Sequence, residues 1–472
     1  MPYSKITPLI LDQLKQIVGE RYVLTAKEAI EPYSHDETED LVFYPEVVVK
    51  PADTGEVSQI MKLATEHHVA VTPRGGGTSL SGGALAVCGG IVLTLERMNK
   101  ILEIDRENLM VVTEPGVITE ILQNEVEKVG LYYPPDPASR GSCQIGGNIA
   151  ENAGGPHALK YGVTKDYVMG LEAVLPNGEI IHTSGKLMKD VTGYNLTQLL
   201  VGSEGTLAIV TKVYLRLIPL PKFRKLLYAP FETLYDAAKA LTQIFYHQII
   251  PAACEFMETG AMDIVEARLN TKFPSRGKAQ ACLLIDLDGS NQDELDRQAE
   301  SVYEILTKWK ALDVVSADTK EKQDAIWRLR RSIGEAVKQL VYKEEDTVVP
   351  RSNLPELVMG LKEISKKYGI TSVCYGHAGD GNIHANLLKG ELSESRWQEL
   401  SKKAIPEMFE LTVKLGGNIS GEHGIGFVQK EYLSIGVGKT EISLMRSIKN
   451  IFDPQNILNP GKIFPEAPVT PF

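Results

Sequence analysis

The sequence predicts an α+β protein of at least two domains, and three observations carry that prediction. At 472 residues the chain is longer than one ordinary core organises. Residues 47–220 alternate short β-branched runs with amphipathic stretches, so strands and helices follow one another closely. From about residue 222 longer helical segments are separated by strands, which reads as helices laid on an antiparallel sheet.

The elements can be justified in order. An amphipathic helix begins at about Pro8. Val47-Val48-Val49 is a strand, followed by a helix over about 54–68 and a strand at Val69-Ala70-Val71. Ile91 to Leu95 and Met110 to Thr113 are further strands. Apolar residues at 118, 121, 122, 126 and 129 make one helical stripe. Leu171 to His182 reads as a hairpin with Asn177-Gly178 at its turn. A strand over Ala208 to Leu217 closes this half, and Pro219 and Pro221 mark a boundary. The second half holds helices at about 232–248, 292–310, 321–341, 354–369 and 394–415, with a strand from Ala281 to Asp286. Pro454, Pro460 and Gly461 break any helix near the end.

Composition narrows the classes of function. Hydrophobic residues at 43% and charged residues at 24% fit a soluble globular protein. The formal charge of −11 disfavours nucleic acid or an anionic membrane as the main partner. Cysteines at 88, 143, 254, 282 and 374 form no CxxC pair, so neither a disulfide framework nor an iron–sulfur cluster is expected, and a reducing compartment fits. The N-terminus has no uninterrupted apolar core of a signal peptide, and no apolar run approaches the ~20 residues that span a bilayer. A cytoplasmic protein without a transmembrane segment is expected.

Pro73-Arg-Gly-Gly-Gly-Thr-Ser-Leu-Ser-Gly-Gly-Ala84 holds five glycines in twelve residues. Bare backbone lets successive amides point at an anion, and Thr78, Ser79 and Ser81 add hydroxyls. No Gly-Lys-Ser/Thr follows, so this is not a Walker A loop, and Leu80 breaks the GxGxxG pattern. What remains is a pyrophosphate cradle of another kind or a flexible surface loop. Tyr133 to Ser139, Gly146 to Gly155 and Val201 to Thr206 add stiff turns, bare backbone and side-chain amides in the same half. A large nucleotide cofactor lying across several loops requires such segments.

Two later blocks, Tyr375-Gly-His-Ala-Gly-Asp-Gly-Asn-Ile-His384 and Ser420-Gly-Glu-His-Gly-Ile-Gly426, hold three of the nine histidines and six glycines. His377 and His384 are seven residues apart, a spacing that misses a helical face but suits a turn between two strands. Glu422 completes a His₂Glu set with coordination positions left open. The alternative is a tight turn and a glycine-bounded loop without a metal. Cationic side chains in this half are candidates as well. Arg328, Arg330 and Arg331 share one helix, where adjacent residues diverge by about 100° and at most one or two can face a site. Arg351 is a second candidate, and planar guanidinium recognition is the reason for either.

Seven motifs in this order, PRGGGTSLSGG, YPPDP, GGNIAENAGG, GSEGT, GHAGDGNIH, SGEHGIG and NPGK, resemble those of the FAD-linked oxidases of the vanillyl-alcohol oxidase/PCMH fold. The resemblance runs from about Pro45 to Phe464. It is strongest to the branch of bacterial glycolate oxidase flavoprotein subunits and D-lactate and D-2-hydroxyglutarate dehydrogenases. It implies a PCMH-type FAD-binding domain of two α+β subdomains (1–220), a second α+β substrate or cap domain on an antiparallel sheet (221–447), and a C-terminal segment (448–472) returning to the FAD domain. Non-covalent FAD would lie with its pyrophosphate on Arg74, Gly75, Gly76, Gly77, Thr78 and Ser79, close to Gly82. Pro134, Asp136 and Ser139 would approach the flavin side, and Gly146, Gly147, Asn148, Asn152 and Gly155 would line the isoalloxazine and ribityl chain. Glu204, Gly205 and Ile209 would lie near the adenosine end, with Asn459 and Lys462 covering the cofactor. His377, His384 and Glu422 match the family's divalent-metal ligands, His423 its general base and Asn386 a substrate contact; Arg330 is favoured over its neighbours by its place in the motif. Zinc suits the His₂Glu set, and manganese and iron are the other fits.

The activity so implied is oxidation of a small D-2-hydroxy acid to the 2-oxo acid by hydride transfer to flavin N5. Electrons would then leave to an iron–sulfur subunit, an electron-transfer flavoprotein, a quinone or dioxygen. Two alternatives stand beside it: an FAD-holding subunit inactive alone, and a non-redox FAD enzyme such as the ether-lipid synthases of the same fold.

Overall fold

A computed structural model of the chain describes residues 2–340 and 342–465. The chain divides into two compact units. The first comprises Met1–Gly154, Val163–Leu220 and Glu422–Phe472, and the second Gly155–Gly162 and Pro221–Gly421. The chain therefore re-enters the first unit at Glu422, ahead of residue 448.

Strands β1 (Val23–Leu24), β2 (Val47–Val49), β3 (Val71–Arg74) and β4 (Ile91–Thr94) form a sheet in the order β1-β2-β4-β3. β2 and β3 flank β4 in parallel. Strands covered on both faces read as unbroken apolar runs, and Val47–Val49 and Ile91–Leu93 are fully buried. The helix Thr54–His67 starts where the Asp53 side chain accepts the Glu56 amide and ends at His68, whose φ is +52°. It packs Val57, Ile60 and Met61 into one core with Leu14 and Val18 of the helix Pro8–Val18.

The strand expected at 69–71 lies two residues later, at Val71–Arg74, and includes Pro73. Proline is tolerated because β3 is an edge strand. That edge is extended near the C-terminus: Val71 donates to Ile457 O, and Asn459 donates back to Val71 O.

Strands β5 (Ile101–Asp105), β6 (Met110–Thr113), β7 (Leu131–Tyr132), β8 (Val168–Val174), β9 (Ile180–His182), β10 (Ile209–Arg216) and β11 (Ile218–Pro219) follow. Of these, β5-β6-β10-β8-β9 make an antiparallel sheet, and β7 pairs with β11. The β8–β9 turn carries Gly178 at φ +81°, as an Asn-Gly hairpin requires. The first unit thus contains two α+β subdomains.

The second unit is built on β12 (Phe223–Phe231), β13 (Ala253–Glu258), β14 (Ala281–Gly289), β15 (Val315–Ala317), β16 (Tyr342–Val348), β17 (Thr371–His377) and β18 (Asn382–Leu388). They pair antiparallel in the order β15-β12-β14-β13-β17-β18-β16. The helices Thr259–Leu269 and Lys320–Val337 share a core with Leu226, Tyr228, Met257 and Tyr375 of one face. The alternate residues, among them Leu283, Ile285, Phe256, Ile383 and Leu387, are buried and apolar. The helix read at 321–341 ends at Val337, and residue 341 lies outside the described residues, as do 466–472 of the C-terminal segment. The helices Thr259–Leu269 and Lys439–Phe452 are additional to those read from the sequence.

Candidate active site

In the second unit the sheet's period of two gathers polar side chains onto one buried face. His377 ends β17 and His384 is the third residue of β18; Gly381, at φ +83° between them, turns the hairpin. A Cβ at Gly381 would press on Val349 O, so this close turn requires glycine. The register pairs His377 with Asn382 and Tyr375 with His384. The two imidazoles are therefore diagonal neighbours, ring centroids 5.5 Å apart and edge to face. Both are at most 8% exposed.

Carboxylates surround the pair. On β13, Glu255 lies opposite His377, and its Oε1 is 2.8 Å from His377 Nδ1. Its Oε2 is 2.5 Å from Arg330 Nη2. On β16, Glu344 Oε1 is 3.4 Å and Asp346 Oδ1 3.8 Å from His384 Nδ1. Asp346 also accepts from Asn382 Nδ2 at 2.5 Å and, through Oδ2, from the amide of Gly421 at 2.8 Å. That second bond fixes the segment that leads directly into Glu422.

Two side chains on this face carry buried polar atoms without a hydrogen-bond partner. Asn386 is wholly buried, and neither end of its amide has a hydrogen-bond partner. Arg330 is 6% exposed and stands over the Tyr375 ring at 5.2 Å, with its Nε buried and without a hydrogen-bond partner. Orphaned buried polar groups are rare in native folds, and these two would suit a polar ligand. Arg351 is placed differently: it is exposed, its guanidinium 4.4 Å over Phe245, beside a cleft lined by Leu159, Gln248 and Ile250.

In the first unit the glycine-rich loop turns back on the segment before the helix Ile145–Glu151. A Cβ on Gly75 would meet Gly147 N at 3.5 Å and Gln144 at 3.6 Å, and one on Gly76 would press on Ser142 O. Gly147 itself faces open space, and Gly146 is held by a bond from its amide to Pro115 O. The bare backbone, with buried Arg74 Nη1 and Gln144 Oε1 lacking hydrogen-bond partners, fits a polar cofactor.

Several side chains expected around that cofactor are engaged elsewhere. Arg74 donates through Nη2 to Pro32 O and His35 O. Ser79 Oγ accepts the amides of Ser81 and Gly83, and the Gly82 amide bonds Thr38 Oγ1. Asn148 donates to Thr119 Oγ1 at 2.6 Å, and Asn152 accepts the Lys165 amide. Pro134 and Asp136 are buried; Ser139 O accepts the amides of Ser142 and Cys143. Gly155 falls in the 155–162 segment of the second unit, and Ile209 opens β10 opposite Val174.

Glu204, beside Gly205 at φ +65°, accepts the amides of Ile425 and Gly426 at 2.8 and 2.7 Å, which positions the loop carrying Glu422 and His423. Glu422 Oε1 and His423 Nε2 are 4.0 Å apart. Asn459 Nδ2 bonds Gly83 O and Glu204 O. Glu151, partly buried, has its carboxyl pushed well above the ordinary range by desolvation, reinforced by Glu204 and Asp36.

Lys462 Nζ reaches Leu85 O at 2.7 Å, Asn459 Oδ1 at 3.0 Å and Gly83 O at 3.2 Å. Burial brings its ammonium down to about 8 from 10.5. Between these values the unfolded chain binds a proton that the folded chain does not, so unfolding free energy rises with pH across that window. Relative to Lys462→Met, the parent is expected to gain on the order of 2 kcal/mol between pH 8 and 10. Denaturant midpoints measured at both pH values test this, and a pH-independent difference would contradict it.

The residues missed by sequence reading are Glu255, Glu344, Asp346 and Glu151. The available signal was a lone acid in an apolar strand, as in Ala253-Cys-Glu-Phe-Met257.

Comparison with known proteins agrees with this architecture. Residues 45–184 match the FAD binding domain family, and residues 220–463 match the C-terminal domain of FAD linked oxidases. The chain is 42% identical to the glycolate oxidase subunit GlcD of Bacillus subtilis, over 97% of each chain. It is 37% identical to the D-lactate dehydrogenase of Anaerostipes hadrus, over 98% of each. A crystal structure of p-cresol methylhydroxylase with substrate bound superposes with a TM-score of 0.81 at 19% identity, covering 98% of both chains, which shows the fold. Two family matches and relatives of this identity along almost the whole length establish that the chain belongs to the FAD-linked oxidases.

Proposed function

We propose that this enzyme oxidises a small 2-hydroxy acid of the glycolate, D-lactate or D-2-hydroxyglutarate type to the 2-oxo acid, using FAD and a divalent metal. The observation that carries the reading is the buried face bearing His377, His384, Asn386 and Arg330. Paired imidazoles stand there beside an orphaned amide and an orphaned guanidinium nitrogen. The donor set suits a metal: two imidazoles backed by carboxylates, with Glu422 proposed as the third ligand from the resemblance of its motif. Zinc is the first choice, with manganese or iron next. The glycine backbone of residues 75–77 and 146–147 would hold FAD.

When bound, FAD supplies the acceptor for the hydride that leaves the α-carbon, and the metal supplies Lewis acidity toward the substrate hydroxyl. The chain's own residues do the rest. Arg330 pairs with the substrate carboxylate through its planar guanidinium, and its Nε gains the partner it lacks. Asn386 hydrogen-bonds a substrate oxygen. His423 takes the hydroxyl proton on an imidazole nitrogen, a task suited to a group with an ordinary pKa of about 6.5. Loss of the O–H proton and the C–H hydride leaves the C=O of the product.

The relative from Bacillus subtilis is named a subunit of glycolate oxidase, which favours a second reading: the chain works within a larger assembly. An iron–sulfur subunit or an electron-transfer flavoprotein would then take the electrons. Among the described residues no helix is long and apolar enough to cross a membrane.

Anaerobic mixing of the yellow protein with D- and L-2-hydroxy acids tests the proposal. Bleaching by glycolate, which is achiral, or by a D-acid and not its L-enantiomer is expected. No bleaching by any acid, with zinc or manganese supplied, would sink it for the isolated chain.

A further inference from the structure

We propose that Glu255 is a positioning residue that sets the metal-binding imidazole and the substrate-binding guanidinium together. The proposal rests on the roles assigned above to His377 and Arg330. Glu255 sits in β13 and is 0% exposed. Its strand partner in register is His377, so the two side chains leave adjacent backbones on the same sheet face. Oε1 meets His377 Nδ1 at 2.8 Å, and Oε2 meets Arg330 Nη2 at 2.5 Å.

The chemistry of each arm is specific. A carboxylate oxygen can only accept, so His377 carries its proton on Nδ1 and presents the Nε2 lone pair as a ligand atom. A buried guanidinium needs a counter-charge, and Glu255 provides it from the sheet while the Tyr375 ring supports the cation at 5.2 Å. The pairing holds one edge of Arg330 and leaves Nε for another acceptor. One carboxylate therefore fixes both how the metal is gripped and where the substrate carboxylate docks.

The test uses the full-length, FAD-loaded protein with Glu255→Gln. Zinc affinity is measured by competition with a chromogenic chelator, flavin content by absorbance, and flavin bleaching by the D-acid that reduces the parent. The amide is isosteric but uncharged. The variant is expected to keep its flavin and to bind zinc about 10–100-fold more weakly. At saturating zinc the limiting bleaching rate should recover, while the half-saturating acid concentration stays raised about tenfold or more. General loosening of the fold would not split the two quantities in this way. Parent-like zinc affinity in the variant overturns the proposal.

If Glu255→Gln does not fold, Glu255→Asp serves. It keeps the charge, but its shorter arm cannot hold both partners, so weakened zinc or weakened acid binding is expected, and parent-like values for both overturn the proposal. A parent that takes up no zinc would instead fell the metal-site reading, and this inference with it. That result is distinct from a zinc-binding parent matched by its variant.

Discussion

His423→Asn is expected to lower the limiting rate of anaerobic flavin reduction by about 10²–10⁴-fold, the range for removing a general base. The amide keeps much of the imidazole's volume but cannot take a proton near neutral pH. Flavin content should stay at the parent's level, because Glu204 bonds the amides of Ile425 and Gly426, beyond the substituted side chain. Half-saturation by the acid should move little if Arg330, as proposed, holds the carboxylate. Stopped-flow bleaching across acid concentrations separates these quantities. A rate within threefold of the parent would remove His423 from the chemistry.

The second large effect is expected at His384. His384→Ala deletes one imidazole from a pair whose ring centroids lie 5.5 Å apart. Metal affinity should fall by more than the ~10–100-fold typical of losing a supporting group behind a ligand. The variant should purify yellow and metal-free, and added zinc should not restore bleaching at concentrations that saturate the parent. Glu344 and Asp346 would remain as carboxylates near an emptied position, so the change also removes a buried aromatic neighbour of Tyr375. Equal metal content in parent and variant would show that His384 is not a ligand.

Much of the architecture was legible because its signals are local. Asn177-Gly178 suits a turn, the β-branched run Val47–Val49 suits a buried strand, and the glycines around 379–381 between two strand-like stretches suit a turn between strands. Those signals allowed His377 and His384 to lie on neighbouring strands, which is where the structure has them. Glu255 was legible only as a lone acid in an apolar strand, because its partners come from register. It faces His377 across a strand pair 122 residues apart in sequence, and nothing near position 255 records that.

Arg330 and Arg351 illustrate the same limit. Both are arginines near suggestive motifs, yet one lies 6% exposed against a carboxylate and the other lies over Phe245 at the surface. Around the glycine-rich loop, composition identified the segment but not the jobs of its side chains. Arg74, Asn459 and Lys462 bond main-chain carbonyls from distant stretches and so hold the loops that bare backbone alone would leave loose.

The central claim is that oxidation requires a metal on the His377–His384 face as well as FAD. It is tested most directly by removing the metal from the yellow protein with a chelator and recording anaerobic bleaching by the reactive D-acid before removal, after it, and after zinc is returned. Full bleaching is expected first, then a rate lower by at least ~100-fold with the flavin still bound, then recovery. Undiminished bleaching by a protein shown to contain no metal would contradict it.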